Sequence, residues 1–296
     1  MITLRSVSII NIIPSSGWAQ PIRTGLLRQN QSPRGHCLGD GATGRRWHHR
    51  ASQETRCHEP CHTQDRDAIR KMAGHDQLAK TDKRWNEHDN LISATVLEFN
   101  NRLAKFTGYR ALDKKLIKAM VWVESSGPDN TAWNQRPMQI GNAGDAGLAA
   151  LLGGKEGGEL ILNAAQKTSL KAGASGPGPN ILAGTAYLLM RAASYAYKSV
   201  TDAQDGKVYD VLVKPGDSLE KIAKANASTV EMLKSLNPTA LVMIKPGQVL
   251  KLKKASIQQV ITGWTAITTD FAASRYNIGD RQYKQKLEYC LSLMPK

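Results

Sequence analysis

The chain has 296 residues, 41% of them hydrophobic and 22% charged, enough apolar material for one large or two modest domains and too much for a wholly disordered polypeptide. No apolar run approaches the roughly 18–20 residues that a membrane-spanning helix needs, so no membrane span is expected. The net charge of +15 favours polyanionic partners, either nucleic acid or a cell wall with its peptide carboxylates and acidic polymers. The basic residues form no stripe interleaved with aromatics, and no nucleic-acid motif is present, so no nucleic-acid partner is expected. Four cysteines, Cys37, Cys57, Cys61 and Cys290, are too few and too unevenly placed for a disulfide scaffold.

The first quarter differs from the rest. Residues 1–71 hold ten Arg and one Lys, whereas residues 72–296 hold seven Arg and 22 Lys. Scattered Gly, Pro, His and Ser, with no apolar period after Ile13, predict a disordered Arg-rich leader over 1–75. Its start has the outline of a signal peptide: Arg5, an apolar stretch over Val7–Ile13, and small residues at Gly17-Trp18-Ala19. Ser8 and Asn11 interrupt that stretch, and the export route stays open. The change from Arg to Lys also raises the alternative of a chain that truly starts at Met72. Cys57-His58-Glu59-Pro60-Cys61-His62 offers metal-ligand residue types. No second Cys/His pair stands at the spacing of a structural zinc site, so no metal site is expected.

From Asn90 the pattern becomes periodic. Leu91–Phe99 reads as a helix with apolar residues three and four apart. Ala111–Glu124 reads as another, with Asp113 as its N-cap and Ser125-Ser126-Gly127-Pro128 as its stop. Glu124 therefore sits at the C-terminal end of an apolar helix. Burial and the negative end of the helix dipole both disfavour its charged form. A carboxyl group kept protonated near neutral pH can donate a proton to a leaving oxygen. On this segment alone, an ordinary surface Glu before a turn is the better reading.

Three further blocks follow in order: Arg136-Pro137-Met138-Gln139-Ile140, Asn180-Ile181-Leu182-Ala183-Gly184 with Tyr187-Leu188, and Ser274-Arg275-Tyr276-Asn277. With Glu124-Ser125 they resemble the lysozyme-like domain of soluble lytic transglycosylases, over roughly 90–200 and 257–294. The resemblance implies that Glu124 is the catalytic acid/base and that Ser125 helps orient substrate. It places Met138 and Gln139 in the groove lining, Asn180 in the third block and Tyr276 near the catalytic Glu. It implies cleavage of peptidoglycan glycan strands without a cofactor: the C6 hydroxyl of an N-acetylmuramic acid attacks its own anomeric carbon and yields a 1,6-anhydro product. Only one carboxyl group is needed, unlike the pair of ordinary glycosidases. Arg136-Pro137 and Ser274-Arg275 depart from the family's Gly-Leu and Ala, which bears on subsite shape. Asp145 is the nearest rival second carboxylate; opposite Glu124 it would favour a hydrolytic lysozyme, but it reads as a turn or N-cap residue before Ala146–Leu152.

Between the third and fourth blocks, Tyr209, Val211 and Val213 alternate as in a half-buried strand. Lys214-Pro215-Gly216 turns the chain. Asp217 with Glu220, and Ser228 with Glu231, have capping-box spacing for two short helices. Lys245-Pro246-Gly247-Gln248 leads into a strand at Val249–Leu252. This βααβ order over 208–253 resembles a LysM domain. The resemblance implies binding of N-acetylglucosamine-containing glycans between two loops, one with Gly216, Asp217, Ser218 and Leu219, the other with Met243, Ile244 and Pro246. A module that only stabilises the chain, or a non-catalytic wall anchor, is the alternative. The expected fold class is α+β, a mainly α-helical lysozyme-like domain interrupted by this module. The expected location is the periplasm or cell wall, with secretion-system or phage machinery as a partner class left open.

Overall fold

The computed structural model describes residues 79, 81–240 and 243–295. The leader over 1–75, its signal-peptide outline, Met72 and the Cys57–His62 cluster lie outside these residues.

The helical body begins with α1 (Asp89–Leu103), which buries Ile92, Val96, Phe99 and Leu103 along one face. Helix α2 (Lys114–Ser125) starts as expected, with the Asp113 carboxylate accepting the Lys115 N–H at 2.8 Å. It stops where Ser126 takes a left-handed φ of 58° and Gly127 one of 89°. A side chain at Gly127 would also strike the Trp85 ring at 2.5 Å. Trp85 packs edge-on against Trp122 and Trp133, closing this end of the core. Helices α3 (Thr131–Gln135), α4 (Gly147–Leu152), α5 (Gly158–Ile161) and α6 (Ala164–Ala172) follow.

Helix α7 (Pro177–Ala192) is the hub. Pro177 suits its first turn, where an N–H would have no helical partner. Ile181, Leu188, Leu189 and Met190 are buried, each contributing roughly 1.5–3 kcal/mol of transfer free energy. It packs against α1, α3, α4, α5 and α6, and against α10 (Thr269–Arg275) from the far end of the chain. Helix α11 (Tyr283–Leu293) lies along α2 and buries Tyr283, Leu287 and Cys290. Residues before and after the inserted module thus share one core.

The first part of the helical domain does not reach the expected residue 200. Helix α7 ends at Ala192 and the chain passes directly into β1 (Ala193–Thr201). This strand pairs antiparallel with β4 (Ala255–Trp264), from Ala193 opposite Trp264 to Thr201 opposite Ala255, with an irregularity at Ser194/Tyr195. Tyr195 opposite Ile261, Ala196 opposite Val260 and Ser199 opposite Ile257 place aromatic and β-branched residues along a pleated ribbon. Nine residues span roughly 30 Å.

At the far end of the ribbon stands the βααβ module: β2 (Tyr209–Leu212), α8 (Leu219–Ala225), α9 (Val230–Leu236) and β3 (Val249–Leu252), with the two strands antiparallel. It has its own core of Val213, Ile222, Ala223, Leu233, Leu250 and Leu252. Both helix starts lie one residue beyond the expected caps. Ser218 and Thr229 cap α8 and α9, because Asp217 closes the turn by accepting the Lys214 N–H at 2.8 Å and Ser228 donates to the Lys253 carbonyl at 2.6 Å. The capping boxes expected for Asp217/Glu220 and Ser228/Glu231 are therefore not formed. A clamp joins the two ends of the module: Asp205 accepts the Tyr209 hydroxyl at 2.9 Å and pairs with Lys254 at 2.7 Å. The module also touches the ribbon through the Ser199 and Thr229 hydroxyls and an Ala255 N–H bond to the Ala227 carbonyl at 3.1 Å. Among the described residues, no helix is long and apolar enough to cross a membrane.

Candidate functional site

The helical body carries a cleft of ≈ 260 Å³ whose floor is the loop Met138–Ile140. Asn180 on α7 holds that loop. Its Oδ1 accepts the Met138 N–H at 2.8 Å, and its Nδ2 donates to the Ile140 and Ala174 carbonyls at 2.9 Å. Buried Asn180 thereby satisfies three backbone groups that would otherwise lie unpaired. Gln139 has a positive φ of 51°, a conformation a non-glycine residue keeps only when its surroundings impose it. Its side-chain amide donates to the Arg136 carbonyl at 2.7 Å and accepts from Asn142 at 2.9 Å.

Tyr276 reaches the same floor from the end of α10. Its hydroxyl donates to the Met138 carbonyl at 2.8 Å, and its ring meets Tyr187 edge-on at 5.7 Å. Gly184 makes this approach possible. A Cβ there would stand 2.7 Å from both the Met138 sulfur and the Tyr276 hydroxyl oxygen. Burial holds the Tyr276 phenol well above the usual range, with Glu124, Asp145 and Tyr187 adding to the rise, so it stays a donor.

Glu124 completes the cleft from the last turn of α2. Burial pushes its carboxyl above the ordinary 4.5, and the charge of Asp280 adds to the shift. Tyr283, Asn277 and Lys286 pull in the opposite direction. Asn277 donates its amide to Glu124 Oε1 at 3.3 Å. The Tyr283 hydroxyl faces the same carboxyl closely enough to stabilise its charged form, but falls short of full hydrogen-bond geometry. The arrangement yields one carboxyl group biased toward its protonated form and oriented by an amide.

Of the residues singled out from the sequence, Glu124, Met138, Gln139 and Tyr276 line the cleft together. Ser125 and Asn180 do not. Ser125 is fully buried and spends its hydroxyl inside the protein, donating to the Val121 carbonyl at 2.6 Å and accepting the Gly127 N–H at 3.2 Å. It supports the end of α2 rather than orienting a ligand; Asn180 supports the floor. Asp145 also lines the cleft. Both its oxygens accept backbone N–H groups, from Gly141 at 2.7 Å and Gly147 at 2.8 Å, so it fastens the loop at the start of α4. Asn277, Tyr187 and Tyr283 join the site without having been singled out from the sequence. The first two stand inside the quoted blocks and could have been carried with them. Tyr283 has no sequence signal beyond its place on an amphipathic helix.

In the module, both expected loops leave the same end of the β2/β3 hairpin. They are joined by bonds between Val213 and the turn at Gly247 and Gln248, at 2.9 and 2.8 Å. Gly216, Met243 and Pro246 are exposed there. Asp217 and Ser218 each spend an acceptor on the turn and the cap. Leu219 and Ile244 pack partly on the module's core.

A helical body with a polar cleft, tied by a ribbon to a separately cored βααβ unit, defines a modular protein. Residues 211–253 match the LysM domain, just inside the expected 208–253. A LysM domain implies binding to peptidoglycan or chitin, which associates the chain with the cell wall. No curated protein and no solved structure matches the chain.

Proposed function

We propose that the chain is a lytic transglycosylase that cleaves the glycan backbone of peptidoglycan in the periplasm or cell wall while its LysM module holds the strand. The observation that carries this is the cleft itself. Three separate blocks of sequence deliver Glu124, Met138–Gln139 and Tyr276 to one place, and the carboxyl delivered there is held above its ordinary pKa. Protonated Glu124 donates to the oxygen linking N-acetylmuramic acid to N-acetylglucosamine as that bond breaks. The resulting carboxylate then takes the proton of the muramic C6 hydroxyl as that oxygen bonds to the anomeric carbon, closing the 1,6-anhydro ring and restoring the acid. Asn277 keeps the carboxyl aimed, and the neutral Tyr276 hydroxyl fixes the floor.

Glu124→Gln is nearly isosteric but can neither give nor take the proton. Cleavage of purified sacculi should fall at least ~10²–10⁴-fold, while wall binding persists. Near-full activity in this variant would remove Glu124 from the mechanism, and a parent chain that releases no products at all would leave a wall-anchoring protein. A hydrolytic lysozyme is the second reading, favoured by Asp145 in the same cleft. Mass spectrometry of the products separates anhydro from reducing ends. Asp145→Asn should retain most activity; a loss as deep as that of Glu124→Gln, with the fold intact, supports hydrolysis.

A further inference from the structure

A second, larger groove of ≈ 640 Å³ lies where the ribbon joins the helical body. Its lining includes Lys155, Glu156, Arg191, Tyr195, Gln259 and Arg275. Two of its residues are near neighbours in the chain of residues that line the Glu124 cleft. Arg191 stands one helical turn beyond Tyr187 on α7, and Arg275 directly precedes Tyr276, both of which line the cleft.

Its charge is lopsided. Three cations, Lys155, Arg191 and Arg275, face it against the carboxylate of Glu156. Glu156 pairs with Arg191 through one guanidinium nitrogen at 3.1 Å. The Nε of the same guanidinium is buried and has no acceptor, which leaves a donor unused. Lys155 and Arg275 take part in no ion pair among the described residues. Glu159, which lies near Tyr195, acts from outside the lining. Arg275 is moreover the residue at which the fourth block departs from the lysozyme-like pattern. Two planar guanidinium groups lining one groove, one of them with a free donor, suit carboxylates.

We propose that this groove is a subsite for the carboxylates of the stem peptide that hangs from the lactyl group of N-acetylmuramic acid. The inference rests on the cleft being a peptidoglycan site. A sugar at Glu124 places its peptide beside the strand, and Arg191 and Arg275 of the groove lie one helical turn and one residue away in the chain from Tyr187 and Tyr276 of the cleft. The chain would then select peptide-bearing stretches of wall over peptide-free glycan. The ribbon supplies one wall of the subsite through Tyr195 and Gln259, which gives it a recognition role beyond joining two domains.

The test measures binding of the full chain by calorimetry to a purified GlcNAc–MurNAc disaccharide with its stem peptide and to the same disaccharide without it. The parent should bind the peptide-bearing form about tenfold more tightly, and added salt should narrow the gap. Exposed Arg275 can be changed without disturbing the core: Arg275→Gln should lose most of the preference, and Arg275→Lys should keep part of it. Equal affinity of the parent for both ligands, or an unchanged preference in Arg275→Gln, overturns the subsite. Product release from sacculi reports separately on the cleavage reaction. Selective binding without products would keep the subsite and sink the enzyme; products without selective binding would do the reverse.

Discussion

Gly184→Ala sets two effects of opposite sign against each other. Gly184 lies inside α7, where Ala is intrinsically favoured by roughly 0.8–1.0 kcal/mol. The new methyl, however, would stand 2.7 Å from the Met138 sulfur and the Tyr276 oxygen and 2.8 Å from the Met138 Cβ. The sulfur could swing aside; the Cβ cannot, because Asn180 holds the Met138 N–H and Tyr276 its carbonyl. Overpacking of this kind costs roughly 1–3 kcal/mol, and losing the Tyr276–Met138 bond adds about 0.5–1.5. The clash wins, with a net destabilisation of about 2 kcal/mol and a Tm lower by roughly 4–8 °C. Tryptophan fluorescence is the right probe: residues 208–253 contain no Trp, whereas Trp85, Trp122 and Trp133 are buried in the helical body. On the proposed reaction, activity on sacculi should fall as well, since the methyl displaces the Tyr276 side of the cleft. A Gly184→Ala chain that melts at or above the parent's temperature would refute the reasoning.

Two further outcomes follow from the same geometry. Burial raises the folded pKa of Glu124 above 4.5, so the folded chain holds this proton more tightly than the unfolded one. The stability it lends is complete below about 4.5 and is lost as pH rises through the folded value; each tenfold gain in proton affinity on folding is worth about 1.4 kcal/mol. The melting temperature of Glu124→Gln minus that of the parent should therefore widen from pH 4 to pH 8; a constant difference would contradict the buried-carboxyl account. Replacing residues 202–254 by Asn-Gly should close Thr201 and Ala255 into a two-residue hairpin. The helical body should still fold, while binding to insoluble peptidoglycan drops at least ~10²-fold through loss of tethering. Unchanged binding would mean that the module is not the clamp.

The parts legible in the sequence are those with local causes. Helix α2 could be read because its cap, its 3.6-residue apolar period and its Ser-Gly-Pro stop lie within sixteen residues of one another. The module could be read for the same reason, although its caps fall one residue beyond the expected positions. Asp and Ser serve turns and helix starts alike, and only tertiary partners decide which. The ribbon was hidden because its pairing is non-local. Nothing between Ala192 and Ala193 breaks a small-residue helix, and the partner of Tyr197 is Gln259, beyond the whole module. Ser125 and Asn180 stand at the right places in their blocks, but a linear pattern cannot say whether a polar group faces a cleft or the backbone behind it.

The ribbon also decides what kind of tether this is. A Gly/Ser linker would let a captive strand wander within a sphere. Nine paired residues, stapled at the outer end by Asp205, Tyr209 and Lys254, behave instead as a strut. On the proposed reaction, strut length and twist determine which bond of a clamped glycan comes to Glu124. Fragment lengths would then cluster around a value set by protein geometry, and removing two residues from each strand would shift that cluster without touching either site.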